Sequence, residues 1–133
     1  MVNLLKNKSS YLKSKALVDI SKNPSNWGVR KDCDFLSTNY NPSCGDSVIM
    51  CGFVQGGRIQ EVRFEGTGCI ISVAMASKLT EFVKDMQLQD ALKLDESIVA
   101  EILGMELGIN RLQCATLSLF ALQKGLQEYQ AKS

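Results

Sequence analysis

Histidine is absent from the 133-residue sequence. That absence excludes a Ser-His-Asp triad, a Cys-His dyad, an HExxH zinc site and any metal site built on imidazole. Chemistry has to rest on Cys, Asp, Glu, Lys, Arg, Tyr or backbone groups. Proline occurs only twice, and no run approaches the about 18 apolar residues that a membrane-spanning helix needs. No membrane association is expected. The apolar start is broken by Lys6 and Lys8, so no secretion signal is expected, and unpaired thiols suit a reducing cytoplasm. Excess charge of one sign is missing as well. The 15 Lys and Arg against 14 Asp and Glu leave a net charge of +1, too little for a binder of phosphate backbones, so no nucleic-acid partner is expected.

Cysteine, by contrast, is plentiful. Cys33, Cys44, Cys51, Cys69 and Cys114 make five, an odd number that rules out complete internal disulfide pairing. Hydrophobic residues at 45% and charged residues at 22% are ordinary for a packed globular chain, and one domain over residues 1–133 is expected.

Helical spacing of Leu12, Ala16, Leu17 and Ile20 behind Ser9 and Ser10 predicts a short amphipathic helix over about residues 10–22, stopped at Pro24. Three β-like runs follow, Cys33 to Thr38, Ser47 to Val54 and Arg58 to Glu65. Gln55-Gly56-Gly57 supplies a tight turn between the last two. Asn39 to Asp46 reads as a loop. An antiparallel meander is the simplest arrangement of the strands. Beyond Gly68 the pattern turns helical, with an apolar stripe of Ile71, Met75, Leu79, Phe82, Val83 and Met86. Two short helical pieces, Leu88 to Leu94 and Asp95 to Leu103, precede a long amphipathic helix over about residues 111–130, in which Gly125 costs about 1 kcal/mol against alanine. The fold class is α+β: an N-terminal helix, a three-stranded antiparallel sheet, then helices packed on one face.

Three cysteines fall where these elements join: Cys44 in the loop, Cys69 at a helix start and Cys114 in the first turn of the last helix. The positive helix ends are expected to lower the thiol pKa of Cys69 and Cys114. Asp46 stands two residues after Cys44, with Gly45 as a hinge, and completes a set of three soft sulfurs and one hard oxygen. Such a set suits tetrahedral Zn²⁺ or an Fe–S cluster. The separations of 25 and 45 residues match no zinc finger or ribbon. On spacing alone, thiols that merely fill core positions are the more ordinary reading. Cys33 and Cys51, inside predicted strands, are expected to be packing thiols. Trp27 and Tyr40 are read as core or rim residues, and Tyr11 as a residue that could touch a partner.

The local strings go further. Asn41-Pro42-Ser43-Cys44-Gly45-Asp46, Gly66-Thr67-Gly68-Cys69-Ile70-Ile71-Ser72 and Arg111-Leu112-Gln113-Cys114-Ala115-Thr116-Leu117 occur in this order, after Asp19 to Gly28. Together they resemble the IscU/NifU/SufU family of iron–sulfur cluster assembly proteins over nearly the whole chain. The resemblance implies a scaffold or sulfur carrier, at most a zinc-dependent sulfurtransferase. It implies one exposed site whose metal ligands are Cys44, Asp46, Cys69 and Cys114, holding Zn²⁺, iron or a transient 2Fe–2S cluster. Cys114 is then the acceptor of persulfide sulfur from a PLP-dependent cysteine desulfurase, and downstream acceptor proteins take sulfur or cluster onward. The pattern is a hybrid of the family's branches. Gln113 stands where IscU-type members carry histidine, and the Leu-Pro-Pro-Val-Lys string of those members is missing. Cys114-Ala115-Thr116-Leu117 and Arg111 look like SufU, yet the helical insertion usual in SufU is absent. Arg111, one helical turn before Cys114, is either an auxiliary residue that steadies a thiolate or a solvated helix-start arginine.

Overall fold

A computed structural model of the chain describes residues 15–132. Residues 15–22 form helix α1, which ends before Pro24. Ser9, Ser10, Tyr11 and Leu12 lie outside the described residues. Leu17 is the buried anchor of α1.

Strands β1 (Phe35–Asn41), β2 (Asp46–Gln55) and β3 (Arg58–Thr67) make one antiparallel sheet in that order. Gly56 and Gly57 both have positive φ, +61° and +76°, the geometry of the tightest hairpin turn. The expected loop from Asn39 to Asp46 is shorter than the sequence indicates. Asn39, Tyr40 and Asn41 pair with Val48, Ser47 and Asp46, so only residues 42–45 turn. Their polarity reflects the rim of the sheet and not a loop. β1 also starts later than expected, at Phe35, which leaves Cys33 outside the strand. Alternation puts Val48, Met50 and Val54 of β2 against the core. In β3 the buried positions step from Phe64 and Val62 to Ile59, because the register shifts opposite Phe53 and Val54.

Four helices follow: α2 (Ile70–Phe82), α3 (Leu88–Leu92), α4 (Ser97–Leu103) and α5 (Ile109–Lys132). Of the predicted stripe on α2, Met75, Leu79 and Val83 are fully buried, whereas Phe82 is exposed and Met86 falls beyond the helix. There the Met86 carbonyl accepts from Ile59 N–H at 2.8 Å and ties the segment after α2 to the edge of β3. α5 packs across β1 and β2 through Ala115, Leu119, Leu122 and Leu126, and α2 packs on β3 and α5. Gly125 has a packing reason: a Cβ there would fall 2.6 Å from Cδ2 of Phe35 and 3.1 Å from Cβ of Ser37. Its missing side chain lets α5 lie flat on β1.

Candidate functional site

The motif residues converge at one end of the sheet. Cys44 is exposed in the 42–45 turn, and its Sγ lies 3.4 Å from Sγ of Cys114. Asp46 opens β2 and is only 3% exposed. Its carboxylate accepts from the Cys69 N–H at 3.2 Å and from the Ser72 hydroxyl at 2.5 Å, and Sγ of Cys69 stands 3.6 Å from its Oδ2. Sγ of Cys44, a carboxylate oxygen of Asp46 and Sγ of Cys114 all lie within 4.8 Å of one another, a grouping able to hold a metal ion. Cys69 is not in that tightest group and joins it through Asp46. Gly68 makes room for the carboxylate, since a Cβ at this position, where φ is +152°, would sit 2.4 Å from Oδ1 of Asp46.

Two expectations about these residues need correction. Asp46 is not an exposed ligand, because the Gly68 cradle and Ser72 enclose it. Cys114 is not in the first turn of the last helix. α5 begins at Ile109, two residues earlier than the stripe indicates, so Cys114 is half-buried in the second turn. The helix end is then too distant to dominate its proton affinity. Burial, the hydrogen bonds from Cys44 and to Asp46, and the negative charges of Cys69 and Asp46 push the Cys114 thiol up to about 12. Asp46 moves the other way. Burial works to raise its pKa, but hydrogen bonds from Ser72, Cys44, Cys114 and Cys69 outweigh it and hold the carboxyl below the usual value. Cys69 does stand at the N-cap of α2 as expected.

Ser72, which closes the second motif string, has a role in the site that the string alone does not disclose. Its Oγ lies 2.5 Å from Asp46 and 3.2 Å from the Cys114 carbonyl, so one proton serves two acceptors from β2 and α5. The signal was its spacing from Cys69, one turn into the same helix. Arg111 is exposed and lines a mainly apolar groove of about 470 Å³ with Leu17, Ile71, Met105, Cys69 and Cys114. Trp27 is a rim residue, edge-on to Phe64 with ring centroids 5.3 Å apart, and Tyr40 is exposed.

The family model for the NifU-like N terminal domain matches residues 12–133. The chain belongs to this IscU/NifU/SufU family. An iron–sulfur cluster assembly scaffold protein IscU of Archaeoglobus fulgidus is 33% identical over 120 residues, covering 90% of this chain and 78% of the relative. The zinc-dependent sulfurtransferase SufU of Bacillus subtilis is 34% identical over 127 residues, covering 83% and 86%. Among solved structures, a SUF-system scaffold protein from Fervidobacterium islandicum superposes with a TM-score of 0.71 at 25% identity, covering 83% of this chain and 93% of that one. As a member of the NifU-like family, the chain carries a Cys/Asp cluster consistent with a metal site. No helix among the described residues is long and apolar enough to cross a membrane.

Proposed function

We propose that this chain, as a single domain over residues 1–133, is a scaffold and sulfur acceptor for iron–sulfur cluster assembly. Cys114 takes persulfide sulfur from a PLP-dependent cysteine desulfurase. Cys44, Asp46, Cys69 and Cys114 hold iron and the growing cluster as cargo, or Zn²⁺, before downstream proteins take it on. The observation that carries this reading is the meeting of Cys44, Asp46 and Cys114 within 4.8 Å, with Cys69 3.6 Å from the same carboxylate. Three thiols and one carboxylate match the donors that zinc and iron–sulfur centres use. A bound cation supplies positive charge that favours the thiolate form of its cysteines. The chain's own part is steric and electrostatic. Ser72 and the Cys69 N–H fix the carboxylate, the Gly68 cradle keeps it between the thiols, and Arg111 lines the adjoining groove.

A second reading, a zinc-dependent sulfurtransferase that relays sulfur without building a cluster, is favoured by Gln113 beside Cys114 and by the likeness to SufU. Anaerobic reconstitution with iron, cysteine and a desulfurase separates them. A scaffold is expected to develop visible charge-transfer absorption, and Cys114→Ser is expected to stay folded by circular dichroism yet colourless and without persulfide. A colourless wild-type protein that speeds desulfurase turnover selects the relay. Colourless protein with unchanged turnover sinks both.

A further inference from the structure

Cys33 and Cys51 belong to no motif of the site, and the structure brings them together on the other face of the sheet. Cys51 lies in the middle of β2 opposite Leu36, fully buried although its side chain points away from the helices. What covers it is the segment of residues 26–34. Asn26 and Gly28 exchange backbone bonds with Phe64, and Arg63 of β3 donates to the carbonyls of Gly28 and Trp27, both at 2.6 Å. The N–H of Val29 bonds Glu65 at 2.8 Å, and the Arg30 guanidinium lies 5.1 Å over the Phe53 ring. Beneath this clamp the Arg30 N–H points at Sγ of Cys51, 3.4 Å away. The chain then turns at residues 31–32, and the Asp34 N–H bonds the Gly52 carbonyl at 2.8 Å, so the half-buried Cys33, held between Arg30 on the Cys51 sulfur and Asp34 on the next residue of β2, is returned beside the Cys51 thiol.

We propose that Cys33 and Cys51 form a reversible redox pair, a modification site separate from the metal-ligand cluster, oxidised by low-molecular-weight disulfides of the glutathione class. Cys33, the half-buried partner, attacks the oxidant's S–S bond as thiolate, forming a mixed disulfide and releasing one reduced thiol. Cys51 then attacks Sγ of Cys33, closing the Cys33–Cys51 bond and releasing the second. Two thiol protons and two electrons pass to the oxidant, which leaves as two reduced thiols. Burial, the largest influence, holds the Cys51 thiol protonated until its partner is engaged, which fits the resolving role. The closed pair staples the 26–34 segment to β2, adding a covalent link to the hydrogen bonds, the Arg30–Phe53 cation–π contact and the Trp27–Phe64 ring contact that hold it otherwise.

Incubating the full-length protein with oxidised glutathione, trapping free thiols by alkylation and mapping peptides by mass tests this. The expected product is a Cys33–Cys51 linked peptide in most molecules, reversed by dithiothreitol and still formed in Cys114→Ser, which lacks the competing Cys44–Cys114 contact. The linked protein is expected to keep its circular-dichroism spectrum and to melt a few degrees higher. Recovery of both thiols alkylated, a Cys44–Cys114 link alone, stable glutathione adducts on Cys33, or a link found only in unfolded protein overturns the proposal.

Discussion

Two pairs of thiols meet in this protein, and their neighbours differ in sign. Cys44 and Cys114 approach to 3.4 Å beside the enclosed carboxylate of Asp46, while Cys51 meets Cys33 with Arg63 as its charged neighbour and the Arg30 amide on its sulfur. A carboxylate among thiols gathers negative charge in one place, which a cation can neutralise. A covered pair beside a cation has no such need, and its open chemistry is oxidation. The same residue type is thus assigned different work by what surrounds it.

The largest effect that tests the contrast is on metal binding. Asp46→Ala is expected to weaken Zn²⁺ affinity by at least about 100-fold, the upper end of what loss of a ligand's outer-shell partner costs, whereas Cys33→Ser leaves it unchanged. Competition with a chromophoric chelator measures both. Equal losses in the two variants would erase the distinction between the pairs.

Next in size is thiol reactivity. With its pKa pushed up to about 12, Cys114 of the metal-free protein is expected to react with iodoacetamide at pH 8 at least about tenfold more slowly than in the urea-unfolded chain. The sign follows from the thiolate being the nucleophile. The gap should close as the pH is raised toward 12 and shrink in Asp46→Ala, which removes one source of the rise. Quantitative mass spectrometry of the Cys114 peptide reads the rates, and equal rates at pH 8 contradict the assigned environment.

The smallest effects come from two glycines. Gly45→Ala at φ +75° meets nothing within 4 Å, so backbone strain of about 1–2 kcal/mol is expected to lower the melting temperature without changing Zn²⁺ affinity. Gly68→Ala costs about 1–3 kcal/mol and also drives a methyl into the Asp46 carboxylate, so affinity should fall severalfold. If the two variants bind zinc alike, the cradle does not position the carboxylate.

Much of this architecture is legible in the residue pattern. The Gly56-Gly57 turn fixes one hairpin, Pro24 ends α1, and the stripe from Leu112 to Leu126 marks α5, because each depends on local φ preferences or on a single face. The order of Cys44, Cys69 and Cys114 is legible too. The first turns of helices are not, since helix ends are set by capping and by tertiary support rather than by the apolar stripe. Two extra residues at the start of α5 carry Cys114 away from the helix end, and burial with the hydrogen bonds to Cys44 and Asp46 then sets its pKa shift opposite to the expected direction. Burial of Asp46 escapes the pattern because Gly68 and Ser72, which enclose it, lie 22 and 26 positions further along the chain. The contact of Cys33 with Cys51 escapes it because a segment outside the strands carries Cys33 there.

Gly125 sits three helical turns beyond Cys114 and on the same side of α5. An α-helix of this length behaves as a stiff rod, and the close seat on Phe35 and Ser37 fixes the rod's far end. Sulfur at the near end is therefore aimed by a contact about 16 Å away. A side chain at Gly125 would have to lift the helix from Phe35 and Ser37, and the strain of that misfit is expected to reach the spacing of Cys114 and Cys44 through the helix itself.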